Sequence, residues 1–375
     1  MIYLDYSANT PVDARVLEQF CAVERRCIGN ANSHHQAGSA AKAEIDAATI
    51  KIASLLGVQP AEIIYTSGAS EANNFALKGL ARLSRHAGRH IISTPLEHSS
   101  ASGTLTALQE QGYEIDLLDV KQDGTVDLEH LKDLLRPDTI CVAVTLVDSE
   151  LGVVQPVQEI AAILKAYPHC HLHVDATQAV GKIPVSFEGV DTMSLTAHKF
   201  YGLNGIGLLI KRRNLALEPL IHGGESTTIY RSGTPTVALA SSLACALDFA
   251  VTDLPGRVDH VAKLNAELRA ALSTYPLVRI NSPDHAIPHV LNLSVRNVKG
   301  TVFQRELDAK GVCVSVKSAC SSDGLPSRAV FAVSRDRRNA LSSWRISLSH
   351  LTTEEEIKAF LQAFDVCYRE LTAVH

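Results

Sequence analysis

A lysine can carry an aldehyde cofactor as an imine when the fold holds its amine beside a histidine, next to backbone that can approach closely. Residues 194–207, Ser-Leu-Thr-Ala-His-Lys-Phe-Tyr-Gly-Leu-Asn-Gly-Ile-Gly, offer that setting, with His198 and Lys199 between an apolar run and a glycine-rich end. A lone loop lysine is ordinarily a solvated charge, so the reading depends on what else the chain supplies. Asp175 closes a strand-like run, His-Leu-His-Val-Asp. A carboxylate buried at a strand end needs a partner, and a protonated pyridine nitrogen suits it, an acid that marks pyridoxal phosphate sites. An N-cap or a loop salt bridge is the alternative. His171, His173 and Asp175 would also share one strand face, which opens a metal reading, although His169 and His171 read as exposed and no metal is expected.

Other candidates fall at junctions. Gly68-Ala69-Ser70 sits between a strand pattern and a helix pattern, where free N–H groups and the helix dipole favour a phosphate; a plain turn capped by Ser70 is the equal alternative. His98, in Pro-Leu-Glu-His after another strand, is placed to stack on a cofactor ring and move protons near neutral pH, or is a surface histidine. Arg231-Ser232-Gly233-Thr234 suits a phosphate or a structural turn. Arg345, in the apolar strand pattern after Trp344, has the fork that grips a carboxylate. Cys320 lies in Lys-Ser-Ala-Cys-Ser-Ser-Asp-Gly, a small-residue polar loop in which a thiol is accessible as a nucleophile.

The elements that must position these residues alternate. Apolar spacing predicts helices over 16–27 and 39–56, with Gly57 as C-cap and a polar loop, 29–38, between them. Strands are expected at 62–65, 90–93, 115–118, 140–144, 171–174, 192–195 and 207–210, and helices at 105–111, 128–135 and 157–167. Strands separated by helices imply crossovers and a mostly parallel sheet covered on both faces, with ligands beyond the carboxyl ends of its strands. Helices over 236–251 and 258–275 lead to a smaller α+β portion: strands at 289–295, 312–316 and 344–348, a helix at 301–310 and a last helix from 353. The division expected is a large domain over 12–254 and a small one from 1–11 and 255–375.

At 375 residues, 46% hydrophobic, with 35 basic and 40 acidic side chains, the chain has the composition of a soluble globular protein. Its net charge of -5 and lack of a clustered basic face argue against direct nucleic-acid binding. No apolar stretch approaches bilayer length and no signal-peptide core follows Met1, so a cytoplasmic protein without membrane attachment is expected. The eight cysteines show no CxxC and no repeated spacing, which fits reduced thiols.

Taken together, Tyr3–Pro11 (Tyr-Leu-Asp-Tyr-Ser-Ala-Asn-Thr-Pro), Thr66–Glu71, Glu97-His98, His173–Gln178, His198–Gly202, Arg231–Thr234, Ser318-Ala319-Cys320 and Trp344–Ser347 resemble, in order, the cysteine desulfurases, pyridoxal-phosphate enzymes of the class V aminotransferase group. The resemblance covers nearly the whole chain. It implies an α/β fold-type I homodimer that removes sulfur from L-cysteine, leaving alanine and an enzyme persulfide for a sulfur-acceptor protein. On this resemblance Lys199 holds pyridoxal 5'-phosphate, His98 stacks on its ring, Asp175 pairs with the ring nitrogen and Gln178 contacts the ring oxygen. Ala69, Ser70, Thr196 and His198 bind the phosphate, with Thr234 reaching across from a second subunit. Arg345 holds the substrate carboxylate, Asn9 and Ser149 lie beside the substrate, and Cys320 accepts the sulfur.

The chain also departs from the family pattern. Ser149 stands where many members have Asn, Gly224–Tyr230 replaces a Gly-Gln-Glu-Arg run, Lys317 occupies a position commonly Gly, and the longer tail of some housekeeping members is not seen. Two alternatives therefore stay open: a related lyase or aminotransferase acting on another amino acid such as selenocysteine, and a weakly active paralogue that mainly binds partners.

Overall fold

The computed structural model describes residues 1–224, 226–317 and 325–373. A short strand, β1 (Ile2–Tyr3), and two helices, α1 (Ala14–Arg26) and α2 (Gln36–Leu56), come first. Next β2 (Ile63–Thr66), α3 (Ala69–Leu83), β3 (His90–Ser93), α4 (Ser99–Gln109), β4 (Glu114–Leu117), α5 (Leu128–Leu134), β5 (Thr139–Thr145), α6 (Val157–Leu164) and β6 (His171–Asp175) alternate, followed by β7 (Thr192–Thr196) and β8 (Gly207–Lys211). These strands form one sheet in the order β2-β8-β7-β6-β5-β3-β4. Only β8 runs against its neighbours.

Period-two alternation explains the layers. Ile64, Ile91, Ala143 and Leu209 face a core with Phe75, Leu77, Leu80, Leu105 and Leu108 of α3 and α4. Their neighbours Ile63, Ile92, Val142, Val174, Met193, Leu208 and Ile210 face the opposite core with α1, α2, α6 and α7 (Val237–Thr252). Burial on both faces produces the near-continuous apolar strands of a parallel sheet.

A second core lies beyond α7. It is built by α8 (Leu254–Leu272), β9 (Val278–Ile280), β10 (Val290–Val295), α9 (Gly300–Ala309), β11 (Val312–Cys313), β12 (Ser343–Ser347) and α12 (Glu354–Thr372), while α10 (Arg328–Ser334) and α11 (Arg337–Ser342) pack on Leu96, Val120, Leu151 and Val153. Here β12-β10-β9 form an antiparallel sheet under Phe303, Phe360 and Phe364, with Trp344 stacked on Phe303 at a centroid distance of 5.1 Å. Leu4 belongs to this core although it is near the chain's start, because β1 pairs in parallel with β11 and Ser347 N donates to the Leu4 carbonyl.

Most expected elements are present, with differences of local cause. Helix α4 starts at Ser99 rather than 105, since the His98 side chain caps it. Helix α8 starts at Leu254 with a proline in its first turn, and α6 ends at Leu164 rather than 167. The strand expected over 312–316 is regular only through Cys313, with Ser315 making an isolated bridge to Arg345, and β9, α10 and α11 are not predicted by the sequence pattern. No single helix among the described residues is long and apolar enough to cross a membrane.

Candidate active site

The carboxyl ends of β2, β3, β5, β6 and β7 open into a cavity of about 360 Å³. Its wall holds Ala69, Ser70, His98, Ser149, Asp175, Gln178, Thr196, His198, Lys199 and Arg345, ten of the residues singled out in the sequence. Thr234 is exposed and outside that wall, and Asn9 turns its amide to the Thr10 carbonyl instead. Cys320 lies outside the described residues. The described flanks of its segment, Lys317 and Leu325, border an adjoining cleft of about 230 Å³ together with His98, Ser149 and Arg328.

At one end, β2 runs into α3 through Gly68, whose φ of 154° and ψ of 178° only glycine adopts without strain. The turn leaves the first N–H groups of a 15-residue helix facing the cavity beside the exposed Ser70 hydroxyl. Glu71 accepts from Ser67 N at 2.8 Å and pairs with Arg231 Nε at 2.9 Å, which ties the Arg231–Thr234 loop to this turn. Across from it, Thr196 Oγ1 lies 3.1 Å from His198 Nδ1 and donates to the Ile206 carbonyl. Burial first, then the Lys199 and Lys182 charges, pushes His198 down to about 4, so the ring is neutral at physiological pH.

At the other end, Asp175 is buried where β6 stops. One oxygen accepts from Thr177 N at 2.9 Å and the other from Asn73 Nδ2 at 2.8 Å. His173 does not join it in a metal cluster: it bonds Asn73 Oδ1 and Thr192, and His171 faces Asp191. Among the described residues no group of His, Cys, Asp and Glu is arranged for a metal. Lys199 Nζ donates to the Ser7 and Ala8 carbonyls at 2.8 and 2.6 Å. Gln178 Nε2 donates to the same Ser7 carbonyl, and its Oε1 accepts from Lys182 Nζ at 2.7 Å. Lys182 is pushed down to about 7 by burial, then by the Lys199 and Arg345 charges.

Arg345 is buried on β12, donating to Asp5 at 2.9 Å and to the Ser149 carbonyl at 2.8 Å. Its Nε has no partner among the described residues, nor do Ser7 Oγ and Thr177 Oγ1. All three residues line the cavity. Buried polar atoms are normally paired, so this wall has the unused hydrogen-bonding capacity of a site for a polar ligand.

Family comparison agrees. The model of the class-V aminotransferases matches residues 2–360. The chain belongs to the class-V aminotransferase family. It is 40% identical to a cysteine desulfurase IscS of Proteus mirabilis, over 95% of this chain and 90% of that protein. A NifS-like protein of solved structure superposes with a TM-score of 0.92 at 36% identity, covering 97% of this chain and 98% of the other. The structure of SspA in complex with cysteine superposes at 0.83 with 30% identity, over 94% and 100%. The fold is thus that of the NifS-like members of the class-V family, α/β with a mostly parallel central sheet.

Sequence reasoning missed several residues that stand behind the cavity wall and bond to its side chains or backbone. Asn73 is a polar residue inside the buried stripe of α3, between Ala72 and Ala76, and that misplacement is a signal of function. Lys182, four residues after Gln178, and Asp5, the partner of Arg345, carried no such local mark. Glu97 was read only as part of a motif, yet its buried carboxylate accepts from Thr94 Oγ1 at 2.9 Å and Thr145 N at 2.8 Å.

Proposed function

We propose that this protein is a pyridoxal 5'-phosphate-dependent cysteine desulfurase, converting L-cysteine to L-alanine while an enzyme thiol receives the sulfur. The observation that carries the reading is the cavity itself: Lys199, Asp175, His98, a helix N-terminus and Arg345 meet in one wall. The similarity to a cysteine desulfurase over nearly the full chain and to a structure holding cysteine supports it.

The residues present fit the cofactor. Gly68–Ser70, Thr196 and His198 would hold its phosphate, Asp175 its ring nitrogen, Gln178 its ring oxygen, and Lys199 its aldehyde carbon, with His98 against the ring face. When bound, the cofactor supplies an electron sink for the charge that develops at the substrate Cα. Arg345 would hold the substrate carboxylate, and its unpaired Nε offers a donor for it. Lys199 and His98 are the groups at hand to move the α-proton. The Cys320 thiolate attacks the substrate sulfur, the Cβ–S bond breaks, and its electron pair stays with the carbon skeleton, which takes up a proton to leave alanine. A thiol becomes a persulfide and cysteine becomes alanine, so no external oxidant or reductant is needed.

In this reading residues 12–254 form the cofactor domain, and 1–11 with 255–375 the domain carrying the thiol. The enzyme is a cytoplasmic homodimer, with Thr234 of one subunit completing the other's phosphate site, and the persulfide passes to an acceptor protein. Purified protein is expected to show a visible absorption band that Lys199→Ala abolishes, and to form alanine from L-cysteine. Cys320→Ala should lose at least tenfold of that rate. Alanine formation unchanged in Cys320→Ala would refute the assigned thiol, and none in the wild type would refute the function.

A further inference from the structure

Between the acid and the imidazole of the site lies a buried polar network whose protons can be placed by elimination. Asn73 has four polar neighbours: Asp175 Oδ2 at 2.8 Å, Ser100 Oγ at 2.9 Å, His173 Nε2 at 3.0 Å and Ser194 Oγ at 2.5 Å. An ionised carboxylate only accepts, so the amide NH2 must face Asp175 and Ser100. The amide oxygen then faces His173 and Ser194, and both must donate. His173 therefore carries its proton on Nε2, leaving Nδ1 to accept from Thr192 Oγ1 at 2.9 Å. Burial pushes His173 down to about 4, in keeping with that neutral ring.

The same elimination continues outward. Ser100 Oγ accepts one amide hydrogen from Asn73, so its own hydrogen is free to point to His98 Nδ1, 2.9 Å away. That nitrogen also accepts Ser100 N–H at 3.2 Å as the cap of α4. With two donors aimed at it, Nδ1 cannot hold a proton without losing both.

We propose that Asn73 is a positioning residue that ties Asp175 to His98 through the Ser100 hydroxyl and holds His98 neutral, in the tautomer protonated at Nε2. The proposal deepens the desulfurase reading and rests on it for the roles of Asp175 and His98. The groups facing His98 are Asp175 from β6, Lys199 after β7 and Arg328 from α10. Burial lowers the His98 titration, Asp175 opposes this, and Lys199 and Arg328 add to it. The network thus acts in the same direction as burial but, unlike burial, selects which nitrogen keeps the proton. It leaves Nε2 as the nitrogen that exchanges a proton with substrate.

The test is nitrogen-15 NMR of histidine-labelled, cofactor-free protein, with His98 assigned by its loss in His98→Asn. The wild type should show a protonated Nε2 and an unprotonated Nδ1 in the neutral ring. Ser100→Ala should raise the His98 titration midpoint by roughly half a unit to one unit, the worth of one hydrogen bond. Asn73→Ala should raise it by a similar amount, and the double variant should add little more, because both act through one hydroxyl. A midpoint unmoved in Ser100→Ala, or single effects that add in full, overturns the proposal. Ser100→Ala removes one partly buried hydroxyl and keeps the test decisive if Asn73→Ala fails to fold. Wild-type alanine formation from L-cysteine is measured in parallel: its absence would remove the desulfurase reading while leaving the NMR result to stand or fall alone.

Discussion

Glu97 stands next to His98 in sequence, yet its carboxyl group is buried against Thr94 and the Thr145 amide. Burial, then the nearby Asp175 charge, pushes it up to about 8 from an ordinary value of 4.5. A carboxyl raised in the folded state binds its proton there while the unfolded chain has released it. Its stabilising share is therefore complete below about pH 4.5 and lost as pH rises towards about 8. Denaturant midpoints of the wild type should fall relative to Glu97→Gln over that window, by up to about 1.4 kcal/mol per pH unit, and run parallel above it. A difference constant with pH would contradict the raised titration. The pairing of Arg345 with Asp5 makes a second prediction. Asp5→Ala should cost about 3–5 kcal/mol, as breaking a buried ion pair does, and should raise KM for L-cysteine more than it lowers kcat. Lys199, Asp175 and Arg345 stood out in the sequence by residue type and setting, whereas Gln178 was legible only through the family resemblance; all four line the cavity. Asn73, Lys182 and Asp5 were not legible, because their roles arise from partners 102, 4 and 340 residues away that no motif links to them.

At the scale of elements, the site depends on how β2 hands over to α3. The conformation of Gly68 aims the helix N-terminus into the cavity, and Gly207 on β8 packs so closely that an added Cβ would lie 2.7 Å from the Gly68 Cα. Gly68→Ala should cost about 1–3 kcal/mol in backbone strain, and the visible band should be lost on dialysis at a phosphate-free pH 7 where the wild type retains it. A contrasting change is Thr353→Ala, which removes the capping box of α12 far from the cavity. It should lower stability by about 1 kcal/mol and leave KM for L-cysteine unchanged. Strand and helix alternation was readable from periodicity across the large sheet. The short pieces β9, α10 and α11 were not, since runs of 3, 7 and 6 residues hardly develop a period. The early start of α4 escaped because a histidine cap is an unusual helix signal.

The two cores meet through several contacts, among them a shared apolar cluster of Leu96, Val120, Leu151 and Val153 with Ala329, Val330 and Ala340, and residues 2–10 are the segment that also reaches the lysine. Residues 2–10 pair with β11, bury Leu4 in the second core, give Asp5 to Arg345, donate from Ser7 N to Ser347 Oγ and present the Ser7 and Ala8 carbonyls to Lys199. Trp344, the single tryptophan, is fully buried in the second core, and the cofactor band would report the first. In urea the two signals should lose their native values together in the wild type and separate in Asp5→Ala. Separate transitions in the wild type would show that the segment does not couple the cores.

The order of synthesis gives that segment a further meaning. Its residues are synthesised more than 300 residues before their partners, Val312, Arg345 and Ser347. Contacts of such separation close late. The carbonyls that receive the Lys199 amine sit on a segment anchored by these late partners, so the amine's working position is fixed only after β11 and β12 have been made.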